Sequence, residues 1–213
     1  MATDFLFDGP EDARFTLLLA HGAGAPMDSA SMNATAKALA AANIRVARFE
    51  FGYMAARRTG HKKPPPKAET VIPEYVAAVD ALGPTSGPLL IGGKSMGGRV
   101  ASMAADALFD AGRIAGLVCL GYPFHPPGRP TQLRTAHLRD LRTPTLIVQG
   151  TRDEFGVPDE VQTYELSPQI ELLWLEDGDH DLKPRKAISG FTTAQHLQTL
   201  ADRVHAFALH VSA

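Results

Sequence analysis

Apolar residues along this chain fall into short unbroken runs, and longer stretches of helical periodicity separate them. Phe15–Ala20, Ile44–Phe51, Leu89–Ile91, Ile114–Leu120, Thr145–Gly150 and Ile170–Leu175 are the short runs. Their length and continuity are those of strands buried on both faces. Between them apolar positions return every three or four residues. Met32, Ala36, Leu39 and Ala40 predict a helix capped by Ser29 or Ser31 and stopped at Asn43. Glu69–Leu82 predicts a second, entered near Pro73, and Met96, Val100, Met103, Ala104 and Ala107 a third. Leu197, Leu200, Val204, Phe207 and Val211 form the stripe of a C-terminal helix. Short helices are predicted at Thr131–Asp140 and Pro158–Tyr164, whereas residues 52–68 and Gly121–Pro130 read as irregular. Strand and helix in turn imply an α/β architecture: a mostly parallel sheet of about six strands with helices on both faces. No repeat or linker interrupts the series, so residues 1–213 read as one domain.

In such a sheet, functional groups belong on the loops at the C-terminal strand ends. The loop after Leu89–Ile91 contains Gly93-Lys94-Ser95-Met96-Gly97, a G-x-S-x-G pattern between a strand and a helix. That context is what a nucleophile elbow requires: a strained corner pushes the serine hydroxyl out, and glycines leave room for it. Asp153 follows the run Thr145–Gly150, and His180 follows Ile170–Leu175. The three residues thus occur in the order Ser, Asp, His, each just past its strand. A serine hydroxyl is a weak nucleophile, so His180 would take its proton while Asp153 fixes the imidazole tautomer. The Met96 N–H at the helix start and the Ala23 N–H after the first strand are the expected oxyanion donors, with Gly22 and Gly24 as alternatives to Ala23. The acid could also be Glu154, Asp177, Asp179 or Asp181, and His125 is the rival base.

The elbow Gly92-Gly93-Lys94-Ser95-Met96-Gly97-Gly98-Arg99, His21-Gly22-Ala23-Gly24, Gly150-Thr151-Arg152-Asp153 and Gly178-Asp179-His180 resemble the motifs of the α/β-hydrolase fold, over about Thr16 to Val211. More narrowly they resemble its small dienelactone-hydrolase-like branch, which includes testis-expressed and chromatin-complex (NSL subunit) relatives. The resemblance implies a serine hydrolase of the carboxylesterase or thioesterase kind, acting on a small-molecule ester or thioester. Dienelactone hydrolases proper carry cysteine where this chain has Ser95, so chemistry transfers better than substrate. The chromatin-associated relatives keep a second class open, a binding or scaffolding module on the same fold. A triad-using acyltransferase or lyase is a third.

Two further features bear on substrate. Members of the fold that take long lipids often insert a lid after the strand corresponding to Ile114–Leu120, and the stretch from Leu120 to Thr145 is too short for a lid domain. Tyr122, Phe124 and His125 are expected to line the mouth of an open pocket that favours short acyl groups. Residues 57–67 concentrate five of the chain's 21 Lys and Arg around a triple proline. Arg57 and Arg58 there are candidates for attracting an anionic substrate or an acidic partner, against the simpler reading of a solvated face. His21, ending a strand, is expected to orient the oxyanion loop through a hydrogen bond.

Composition narrows the remaining choices. With 45% hydrophobic and 21% charged residues the chain has the balance of a globular protein, and a net charge of −2 excludes charge-driven nucleic-acid binding. The lone Cys119 sits in an apolar run and excludes an internal disulfide. No cysteine cluster or histidine pair at ligand spacing points to a metal, and the chemistry calls for no cofactor. Met1–Pro10 lacks a basic segment followed by an apolar one, and no run reaches transmembrane length, so a cytoplasmic location without a membrane partner is expected. A homo-oligomer is compatible with all of this.

Overall fold

A computed structural model describes residues 3–61 and 63–212; Lys62 of the basic segment lies outside them. The strands are β1 (Leu6–Asp8), β2 (Phe15–Ala20), β3 (Ile44–Phe49), β4 (Leu89–Lys94), β5 (Gly116–Leu120), β6 (Thr145–Gly150) and β7 (Ile170–Leu175). They form one sheet in the order β1-β3-β2-β4-β5-β6-β7. Every neighbouring pair is parallel except β1 with β3. The helices are α1 (Ala30–Ala41), α2 (Gly52–Arg58), α3 (Ile72–Leu82), α4 (Met96–Asp110), α5 (Pro158–Val161), α6 (Lys186–Ser189) and α7 (Thr193–Val211). Among the described residues no helix is long and apolar enough to cross a membrane.

The unbroken apolar runs fill two cores at once, because successive side chains of a strand point to opposite faces. Leu90, Val118, Leu146 and Val148 pack with α1 and α7 residues such as Leu39, Leu200 and Val204. Ile91, Cys119 and Ile147 pack with Tyr75, Val79, Val100 and Ala104 from α3 and α4 on the other face. Each large aliphatic or aromatic side chain so buried is worth about 1.5–3 kcal/mol. The Tyr75 hydroxyl, wholly buried, accepts the Gly92 N–H at 2.9 Å and lies 2.7 Å from the Gly92 carbonyl. It thereby fixes β4 three residues before Ser95.

The structure corrects four sequence expectations. The sheet has seven strands, because β1 adds as an antiparallel edge of three residues, too short to leave a periodic signal. Residues 52–68 are not irregular throughout. Tyr53 and Met54 bury, and α2 forms although Phe51 supplies no side-chain cap. The helix expected over Glu69–Leu82 is a 3₁₀ turn at Ala68–Val71 followed by α3. That expected over Thr131–Asp140 shrinks to the 3₁₀ turn Ala136–Leu138, so the β5–β6 connection carries no lid. The short α6 had not been expected.

Candidate active site

The chain leaves β4 at Lys94 and enters α4 at Met96, with Ser95 alone at the corner in a left-handed conformation, φ +52° and ψ −117°. For a non-glycine residue this costs on the order of 1–3 kcal/mol, and surrounding contacts must hold it. The Ser95 N–H donates to the Leu120 carbonyl at 2.9 Å. The glycines on either side allow close approach of backbone: a Cβ on Gly93 would lie 2.4 Å from the Gly97 carbonyl carbon, and one on Gly97 would lie 2.5 Å from the His21 carbonyl oxygen. Gly97→Ala must therefore push α4 off the β2 loop. A loss of about 1–3 kcal/mol is expected in denaturant unfolding.

Ser95, His180 and Asp153 meet at the C-terminal edge of the sheet. The Ser95 Oγ lies 2.8 Å from His180 Nε2, and His180 Nδ1 lies 2.9 and 3.0 Å from the two Asp153 carboxylate oxygens. With Nδ1–H donating to the carboxylate, Nε2 is left to accept the serine proton. Asp153 is fully buried. Two further donors hold it, Gln149 Nε2 at 2.9 Å and the Phe155 N–H at 3.0 Å. Gln149 is itself fixed because its Oε1 accepts the Tyr122 N–H at 2.7 Å. Sequence reasoning had not found Gln149. It had not found Phe155 either, whose ring lies against His180 with centroids 4.1 Å apart. An apolar residue two positions after the candidate acid was the one available signal.

Among the described residues none of the rival acids hydrogen-bonds to His180. Glu154 is exposed. Asp177 is held by the Arg185 guanidinium and backbone N–H and by Arg152, contacts that bring its pKa down to about 2. Asp179 accepts the N–H groups of Asp181 and Lys183, each at 2.9 Å. Asp181 faces Lys183 at 3.2 Å and Lys94 at 3.9 Å. Burial lowers the Lys94 pKa to about 8. The rival base is also committed: buried His125 contacts the Pro126 carbonyl at 2.9 Å and Glu160 at 3.2 Å.

Ala23, Ser95 and Met96 line one open cleft of about 360 Å³. Neither the Ala23 nor the Met96 N–H has a hydrogen-bond partner among the described residues. The loop bearing Ala23 is held through its carbonyls. His21 Nε2 accepts the Phe51 N–H at 3.2 Å, which leaves Nδ1–H to donate to the Gly22 carbonyl at 2.6 Å. Burial keeps the His21 pKa below its ordinary value, consistent with this neutral tautomer. The Tyr53 hydroxyl donates to the Ala23 carbonyl at 3.1 Å. With both carbonyls turned toward these donors, the loop N–H groups are free for a ligand.

The substrate-contact expectations need correcting. Tyr122 and Phe124 are wholly buried core residues, and neither they nor His125 line the cleft; Pro123 between them does. Arg57 and Arg58 do not line it either. Arg58 binds Glu50 and Asp28, and Arg57 lies over the Tyr53 ring and reaches the Lys63 carbonyl. The cations that do line the cleft with Ser95 are Lys67, Arg99 and Arg134.

A family model described as an alpha/beta hydrolase domain matches residues 13–209. Among solved structures, an α/β serine hydrolase without lid from Xanthomonas campestris superposes with a TM-score of 0.67 at 22% identity, covering 98% of this chain and 88% of that one. Est1E from Butyrivibrio proteoclasticus gives 0.67 at 17% identity, covering 98% and 94%. A dienelactone hydrolase from Anabaena variabilis gives 0.68 at 19% identity, covering 98% and 91%. At these identities the three share the fold.

Proposed function

This chain belongs to the α/β-hydrolase family, and from that premise we propose that it is a serine hydrolase cleaving an ester or thioester of a small or short-chain acyl group. One observation carries the proposal: a strained Ser95 whose Oγ is 2.8 Å from His180 Nε2, with His180 Nδ1 on a buried carboxylate. In the acylation step His180 takes the Ser95 proton as Oγ bonds to the substrate carbonyl carbon. The tetrahedral oxyanion is met by the Met96 and Ala23 N–H groups, and His180 returns the proton to the leaving alcohol or thiol. Water then repeats the sequence on the acyl-enzyme. Asp153 stays ionised throughout and steadies the imidazolium.

The reading on chain length rests on the uncovered cleft. Apolar contact adds about 0.8 kcal/mol per buried CH₂ only while there is wall to touch. Across p-nitrophenyl esters from acetate to palmitate, kcat/KM is expected to peak at or below about six carbons. A maximum at twelve or more would contradict it. With the best ester, rapid mixing is expected to give a burst of p-nitrophenol close to the enzyme concentration if deacylation is the slower step. Absence of turnover on every ester and thioester tried would return the chain to the binding-module reading.

A further inference from the structure

Resting on that hydrolase reading, we infer that the cleft beside Ser95 holds a carboxylate subsite built by Arg134, Arg99 and Lys67, so that the substrate is an ester bearing a free carboxylate. The lining of the cleft carries these three cations against one carboxylate, Glu69. Glu69 pairs with Arg99 through one terminal nitrogen, which leaves the Arg99 Nε buried without a partner among the described residues. Arg134 and Lys67 have no carboxylate partner there. Desolvation and the charge of Arg99 both lower the Arg134 pKa, as expected of two like charges facing one shared space. A guanidinium stays protonated regardless, so the site keeps its excess of positive charge.

The subsite is held in place before any ligand arrives. The Arg134 N–H donates to the Phe124 carbonyl at 2.7 Å, and its own carbonyl accepts the Tyr122 hydroxyl at 3.0 Å. The buried aromatics expected at the pocket mouth thus serve it from behind, by fixing the backbone of an arginine that does face it. Arg99 projects from α4 one turn beyond Met96, about 4.5 Å along the helix axis from the oxyanion donor. Lys67 follows Pro64–Pro66 and precedes the 3₁₀ turn Ala68–Val71, so its backbone position is set by a stiff segment. A planar guanidinium meets a carboxylate through two parallel hydrogen bonds, which suits Arg134 to that group.

Two matched pairs test this on either side of the scissile bond: mono-4-nitrophenyl glutarate against 4-nitrophenyl valerate, and 4-acetoxybenzoate against methyl 4-acetoxybenzoate. In at least one pair the wild type is expected to favour the anion. Arg134→Gln should lower that anionic-to-neutral ratio of kcat/KM about tenfold, chiefly through KM, and Arg134→Lys should recover part of it. The preference should also shrink as salt is raised. Should Arg134→Gln fail to fold, Lys67→Gln, at an exposed position, reads the same ratio. Changes smaller than about fivefold in both pairs would overturn the subsite. If the wild type hydrolyses none of the four esters, the hydrolase reading fails separately. Calorimetric titration of monomethyl glutarate then decides: binding lost in Arg134→Gln supports the subsite, and equal or absent binding to both proteins overturns it.

Discussion

Ser95→Ala is expected to lower kcat for ester hydrolysis by on the order of 10⁴- to 10⁶-fold while leaving the fold intact. On the proposed mechanism the hydroxyl is the group that bonds to the acyl carbon, and among the described residues it is the one hydrogen-bond partner of His180 Nε2. Alanine at this corner still carries the left-handed strain, so stability should change little, because Ser95 caps α4 with no side-chain hydrogen bond. His180→Ala should be about as damaging, and the double variant hardly worse than either alone, because nucleophile and base act as a unit. Steady-state assays of the three variants check this. A His180→Ala protein that keeps more than about a tenth of the activity would mean that another group serves as base.

Asp153→Asn should cost on the order of 10⁴-fold in kcat, the scale known for that change in serine-protease triads. The carboxylate accepts from His180 Nδ1, Gln149 Nε2 and the Phe155 N–H. An asparagine amide can satisfy part of that set only by turning its NH₂ toward one of the donors. Turned toward His180, it stabilises the tautomer with the proton on Nε2, which cannot accept from serine. The loss should therefore appear in kcat with little change in KM. Asp153→Ala should in addition strand buried donors, at about 1–3 kcal/mol in thermal or denaturant unfolding. An Asp153→Asn enzyme within tenfold of the wild type would show that the carboxylate is structural.

The elbow, the strand ends and the Ser, Asp, His order were legible in the sequence because local rules govern them. A strand buried on both faces must be continuously apolar, and a corner at positive φ beside closely packed backbone must have glycine neighbours. The walls of the cleft were not legible, because they depend on where loops aim after they leave the sheet. Gly121 at φ +62° turns the chain so that Tyr122 and Phe124 go into the core, and Pro123 faces the cleft between them. An aromatic-rich loop has no pattern that announces this. The cationic run 57–67 illustrates the same limit. Its first two arginines are taken up by Tyr53, Glu50 and Asp28, residues on or beside α2 and the β2 loop, while Lys67 at its far end reaches the cleft. Arg99 was visible in the elbow motif, but its aim follows only from the pitch of α4 and the position of Glu69 opposite.

The central claim is that Ser95 is an activated nucleophile, and covalent labelling tests it most directly. Wild-type protein treated with a fluorophosphonate should gain the mass of a single adduct, which peptide mapping should locate on Ser95. The adduct should be missing from Ser95→Ala and strongly slowed in His180→Ala. An unlabelled wild-type protein, or an adduct that maps to another residue and persists in Ser95→Ala, would contradict the account.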